Sequence, residues 1–179
     1  MNSLSPIQWA LLPLKKYATF SGRAPRAEFW WFFLFVMIIY FAMVIAAFVI
    51  IGGAMAQSQS PLGMIGAFGI VGIFIGLFWL AIIIPTIAVQ VRRIHDLDRS
   101  GWWVGAYYIV YLVYMVTSFA TAASGGEPTI GGSLVALIIA LGFFAYSIVL
   151  LIFYCLAGTK GANRYGPDPY GADVSEVFA

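Results

Sequence analysis

The residues that could do chemistry fall in three polar stretches, residues 20–30, 92–103 and 158–169. Their cations are Arg23, Arg26, Arg92, Arg93, Arg99, Lys160 and Arg164. Their carboxylates are Glu28, Asp96, Asp98 and Asp168, and His95 and Asn163 add neutral polar groups. Seven cations against four carboxylates leave a surplus of three positive charges, so some of the cations lack a carboxylate partner within the set.

Two interpretations of this set stay open. In the first, Glu28, His95, Asp96, Asp98, Asn163 and Asp168 join the cations in a network that locks the loops, because guanidinium and carboxylate groups pair in a planar, bidentate way. In the second, the seven cations bind the phosphate of an anionic lipid, or a protein partner. Free amides at the start of a helix near Ser100 would assist such binding.

Catalysis and metal binding find less support in the sequence. His95 is the only histidine, and no second histidine or cysteine lies close enough in sequence to complete a zinc set. Ser100 and His95 lack a third group at a recognised catalytic spacing. We therefore predict no catalytic residue, no metal and no cofactor, and we expect His95 to pack with one ring nitrogen bonded to a carboxylate.

Four apolar segments adjoin the polar stretches along the chain, at residues 29–52, 62–90, 102–123 and 133–157. Each is long enough to cross a hydrocarbon core of about 30 Å as a helix. Hydrophobic residues make up 63% of the chain and charged residues 9%, which predicts a single membrane bundle without a soluble domain. None of the segments contains Asp, Glu, Lys, Arg or His, which argues against a proton-coupled transporter but leaves a passive pore possible.

The positive charges also predict the orientation in the membrane. All nine Lys and Arg residues precede the first segment, lie between the second and third, or follow the fourth. Positively charged loops stay in the cytoplasm, so both termini are predicted to be cytoplasmic. Residues 4–17 resemble an interfacial segment broken by Pro6 and Pro13. The expected parts are a cytoplasmic segment at 1–28, the bundle at 29–157 and a cytoplasmic tail at 158–179.

Three strings in one order, F-x-G-R-A-x-R-x-E-F-W, R-R-x-H-D and R-S-G-W-W, resemble the domain of unknown function 805 family. The resemblance to these YhaH-like bacterial inner-membrane proteins covers roughly residues 9–169. It implies a small four-span inner-membrane protein and supplies no activity. The chain departs from the family pattern at Pro25, where the family usually has serine, and at Ala162, where it usually has proline.

We therefore expect an all-α integral membrane protein, an antiparallel bundle of four transmembrane helices with an N-terminal interfacial segment. The leading functional hypothesis is a non-enzymatic protein whose cytoplasmic charged cluster locks the loops and binds anionic lipid or a protein partner. A homo-oligomeric pore or small-solute transporter is the alternative, and a lipid-modifying enzyme is the third class. Expected partners are membrane lipids and a second copy or another membrane protein. The small, mixed charge argues against nucleic acid.

Overall fold

In the computed structural model, which describes residues 4–57, 60–123 and 130–170, the chain is helical with no strand in those ranges. The helices are α1 (Pro6–Lys15), α2 (Arg26–Gln57), α3 (Pro61–His95), α4 (Trp102–Ala123) and α5 (Ile130–Cys155). Helices α2 to α5 are each long and apolar enough to cross a membrane. The prediction of an all-α membrane protein with four spans is confirmed.

Helix α1 is a short amphipathic element with a defined start. The Ser5 side chain accepts a hydrogen bond from the Gln8 backbone N–H, and the Gln8 side chain accepts one from the Ser5 N–H at 2.8 Å. The prediction that two prolines break this segment is wrong. Pro6 occupies the first helical turn, where its missing N–H would have no partner in any case, and Pro13 lies in the last turn.

The first of two compact units comprises α1, α2 after Arg26, and α3 as far as Val89. The Tyr40 ring of α2 lies 6.1 Å from the Trp79 ring of α3. Further along α2, Met43 and Ile50 share an apolar cavity of about 190 Å³ with Val71 of α3. Later residues of α2 thus meet earlier residues of α3, so the two helices are antiparallel.

The second unit comprises residues 20–26, the end of α3 from Gln90, and the chain that follows, including α4 and α5. The Trp103 ring near the start of α4 lies 5.3 Å from Phe153 near the end of α5. One turn along α4, Tyr107 stacks on Phe143 at 4.7 Å. The Tyr146 hydroxyl donates to the Trp103 carbonyl at 2.6 Å, so stacking and a hydrogen bond join this antiparallel pair.

Three helices extend beyond the apolar segments that predicted them. Helix α3 continues past the predicted end at residue 90 to His95, so Arg92 and Arg93 lie on a helix, not in a loop. Helix α2 begins at Arg26 and continues to Gln57, and α5 begins at Ile130. Apolar composition marks only the part of a helix suited to lipid, whereas its backbone hydrogen bonds continue into polar surroundings.

Candidate functional site

The charged cluster of the second unit is centred on Asp96, the first residue after α3, which is 2% exposed. The Arg23 Nε donates to the Asp96 Oδ1 at 2.9 Å. The Arg93 Nη1 donates to the other carboxylate oxygen, Oδ2. Two guanidinium groups therefore share one carboxylate, and all three side chains are almost fully buried. We call these three residues the Asp96 triad.

The remaining donors of the two arginines bind backbone carbonyls. Arg23 donates to the carbonyls of Thr159 and Gly161, each at 2.6 Å. Arg93 donates to the carbonyl of Tyr154 at 3.2 Å and to that of Leu156. The last carbonyls of a helix have no partner within it and carry partial negative charge. The end of α5 therefore receives the positive charge that Asp96 does not neutralise.

The segment before α2 brings Arg23 to the triad. The Ala24 N–H donates to the carbonyl of Arg92 at 3.0 Å, which attaches residues 20–26 to the last turn of α3. Gly22 has a φ of 85°, a left-handed conformation that glycine adopts without strain. Its carbonyl contacts the His95 Nδ1 at 3.2 Å, so the ring nitrogen meets a carbonyl rather than the predicted carboxylate.

Two residues that no sequence pattern singled out complete the triad's surroundings. The Thr159 backbone N–H and hydroxyl both donate to the carbonyl of Asp96, at 2.9 Å and 3.2 Å. A Cβ placed on Gly158 would lie 2.6 Å from the Asp96 Cγ, so only glycine fits here without a shift. Both belong to the third polar stretch, where the pair Gly158-Thr159 beside Lys160 was the available signal.

The tail after α5 packs on His95. The Tyr165 ring stacks on the imidazole at 3.8 Å, with 4° between the planes. The Asn163 amide donates to the carbonyl of His95 and to the Thr159 hydroxyl, both at 3.0 Å, and its oxygen accepts from the Tyr165 N–H. Within residues 4–57, 60–123 and 130–170, no three His, Cys, Asp or Glu side chains gather to hold a metal ion.

Asp98, Arg164 and Arg99 lie at the exposed edge of the second unit. The Arg164 Nε lies 3.1 Å from the Asp98 carboxylate, and both side chains are about half exposed. The Arg99 guanidinium lies 4.6 Å from the centre of the Phe153 ring, a cation–π contact. The Arg164–Asp98 ion pair is exposed, and exposed ion pairs contribute little to stability.

Glu28 and Arg92 occupy different units. Glu28 is buried in the first unit, and one of its carboxylate oxygens lies 3.7 Å from the Nζ of Lys16, a lysine outside the predicted set. Arg92 is buried in the second unit, on the last turn of α3. The helix α2 that carries Glu28 begins just after Pro25, so proline stands before the first helical residue.

A cavity of about 200 Å³ opens beside the triad, entirely within the second unit. Its lining residues are Arg23, Arg26, Asp96, Ala157, Gly158, Thr159, Lys160, Asp168 and Tyr170. Arg26 and Lys160 are exposed, unlike the arginines of the triad. The cavity is thus lined both by the buried pair Arg23 and Asp96 and by the exposed cations Arg26 and Lys160.

Four spans and a buried arginine–carboxylate cluster define a class of small helical membrane proteins whose charged residues, in the part of the chain that the structure describes, lie in loops and near helix ends. The chain belongs to the family described as "Protein of unknown function (DUF805)", whose model matches residues 17–167. The family was therefore identified correctly from the three strings.

Two similar relatives come from Escherichia coli K12. The inner membrane protein YhaI is 31% identical over 163 residues, which cover 91% of this chain and 96% of that protein. The inner membrane protein YhaH is also 31% identical, over 91% of this chain and 97% of its own length. No solved structure matches this chain significantly.

Proposed function

We propose that this chain is a non-enzymatic protein of the bacterial inner membrane whose polar cluster binds anionic lipid headgroups at the cytoplasmic surface. The names of its relatives and its four long apolar helices support a location in the inner membrane. In this proposal the triad has a structural role, holding the segment before α2 and the tail after α5 against the end of α3. Binding is left to other cations.

The division of the cations into two groups carries the proposal. The guanidinium groups of Arg23 and Arg93 are buried against Asp96 and backbone carbonyls. Arg26, Arg99 and Lys160 are exposed. A positive charge near an anionic membrane surface contributes about 1 kcal/mol of attraction, and the exposed group supplies such charges without disturbing the buried one.

The test compares an anionic lipid with a zwitterionic one. Full-length protein in neutral detergent is titrated with phosphatidylglycerol or phosphatidylcholine, and the midpoint of thermal unfolding is followed. A ligand that binds only the folded state raises this midpoint. We expect phosphatidylglycerol to raise it more than phosphatidylcholine, with a difference that shrinks at high salt because exposed charges are screened.

Equal shifts with both lipids would contradict the proposal. A second experiment measures solute flux from proteoliposomes that contain the protein and are loaded with a panel of small solutes. Solute flux that depends on the protein would favour the pore alternative in place of lipid binding.

A further inference from the structure

We infer that the cavity beside the Asp96 triad is a discrete site for the phosphate of one anionic glycerophospholipid, with Arg26 and Lys160 as its phosphate ligands. The inference rests on the proposed function and narrows it from a charged surface to a single site. At about 200 Å³ the cavity is several times the roughly 30 Å³ that one water occupies in the liquid, so a phosphate group fits within it.

The carboxylates in the cavity wall are already engaged. Asp96 accepts from two guanidinium groups. Asp168 accepts from the backbone N–H groups of Gly161 at 3.0 Å and Tyr170 at 2.9 Å. The lining holds three cations and two carboxylates, and each carboxylate has donors of its own. The remaining charge at the cavity is therefore positive.

Arg26 and Lys160 keep donors available for a ligand. Among the residues that the structure describes, the Arg26 side chain makes one hydrogen bond, a long one of 3.4 Å from Nη1 to the carbonyl of Cys155. A guanidinium group has five N–H donors in a planar fork that matches phosphate. In the part of the chain that the structure describes, Lys160 has no ion-pair partner.

An exposed apolar face of α5 ends next to the cavity, which favours a lipid over a soluble phosphate. Ile148, Ile152 and Leu156 are all exposed and recur at every fourth position, so they lie on one face. The Leu156 N–H donates to the carbonyl of Ile152, so the last turn continues to the edge of the cavity, where Ala157 lines the wall. A headgroup at Arg26 and Lys160 would leave its acyl chain on this face.

Two double variants of equal charge test the site. Arg26→Gln with Lys160→Gln removes both proposed ligands. Lys15→Gln with Lys16→Gln removes two cations of the first unit that do not line the cavity. Binding of phosphatidylglycerol to the full-length protein is measured by native mass spectrometry in detergent, with inorganic phosphate and glycerol 3-phosphate as competitors. We expect the first variant to bind phosphatidylglycerol about tenfold more weakly and the second to stay within about twofold of the wild type.

Each outcome decides something different. Equal losses in the two double variants would overturn the discrete site and leave general attraction to anionic lipid standing. A wild type that does not distinguish phosphatidylglycerol from phosphatidylcholine would overturn the proposed function itself. Full competition by either soluble phosphate at a concentration matching the lipid would overturn the lipid assignment. If the first double variant unfolds in detergent, Lys160→Gln alone replaces it, because that side chain is exposed.

Discussion

Asp96 accepts two arginines in a place that water hardly reaches, and this arrangement has a clear energetic consequence. Removing an ion from water is costly, and the cost is offset only when the partners are close and their remaining donors are satisfied. Here both conditions hold, since Arg23 and Arg93 pair with the carboxylate and direct their other donors to carbonyls. The fold is therefore expected to lose most stability when one member of the triad is replaced and the others stay buried without it.

We therefore predict that Asp96→Asn strongly destabilises the protein, by about 3–5 kcal/mol, because two buried guanidinium groups lose their counter-ion. The matched control is Asp98→Asn, which removes the carboxylate of an exposed pair with Arg164 and should cost about 0–1 kcal/mol. Thermal unfolding in detergent, with each variant beside the wild type, measures both. Equal melting temperatures for the two variants would show that the triad does not stabilise the fold.

The sequence places these charged residues in three stretches but does not show which of them are buried. Arg23 and Arg26 are three positions apart in one string, yet Arg23 is buried and Arg26 is exposed. Nothing local distinguishes them, because the burial of Arg23 depends on Asp96 and Thr159, which are distant in sequence. Binding and structural arginines become distinguishable only once the tertiary contacts are known.

The apolar segments predicted which helices exist but not where each helix begins and ends. The second segment predicted an end at residue 90, whereas α3 continues to His95. These extra residues bring Arg93 one turn before Asp96, the spacing at which side chains on a helix meet. The end of α3 is thus part of the site. Its last turn is polar, so the hydrophobic pattern could not predict that the helix continues there.

The chain just after α5 approaches the end of α3 so closely that Gly158 has no room for a side chain. We predict that Gly158→Ala lowers the melting temperature, because the new methyl group displaces the Asp96 carboxylate from its arginines. Gly142→Ala in the middle of α5 is the control, since a Cβ there meets nothing within 4 Å and alanine favours a helix over glycine. The same thermal unfolding assay applies. A Gly158→Ala protein as stable as Gly142→Ala would mean that the carboxylate moves aside without cost.

For the molecule as a whole, the sequence predicted four spans correctly because length and apolarity are enough to define a membrane helix. The orientation is a separate prediction that rests on where the nine Lys and Arg residues fall along the chain. It bears directly on the lipid hypothesis, since a cavity lined by Arg26 and Lys160 meets the anionic cytoplasmic leaflet only if the end of α5 faces the cytoplasm.

Cysteine labelling in Escherichia coli cells tests the orientation. The single native cysteine, Cys155, is first replaced by alanine, and one new cysteine is introduced as either Gln57→Cys or Ala162→Cys, both at exposed positions. Because cationic loops resist translocation, a membrane-impermeant maleimide should label the Gln57→Cys protein in intact cells. It should label the Ala162→Cys protein only after the inner membrane is permeabilised. The reverse pattern would place the arginine cluster in the periplasm, where neither the cytoplasmic leaflet nor its surface potential could act on the proposed headgroup site.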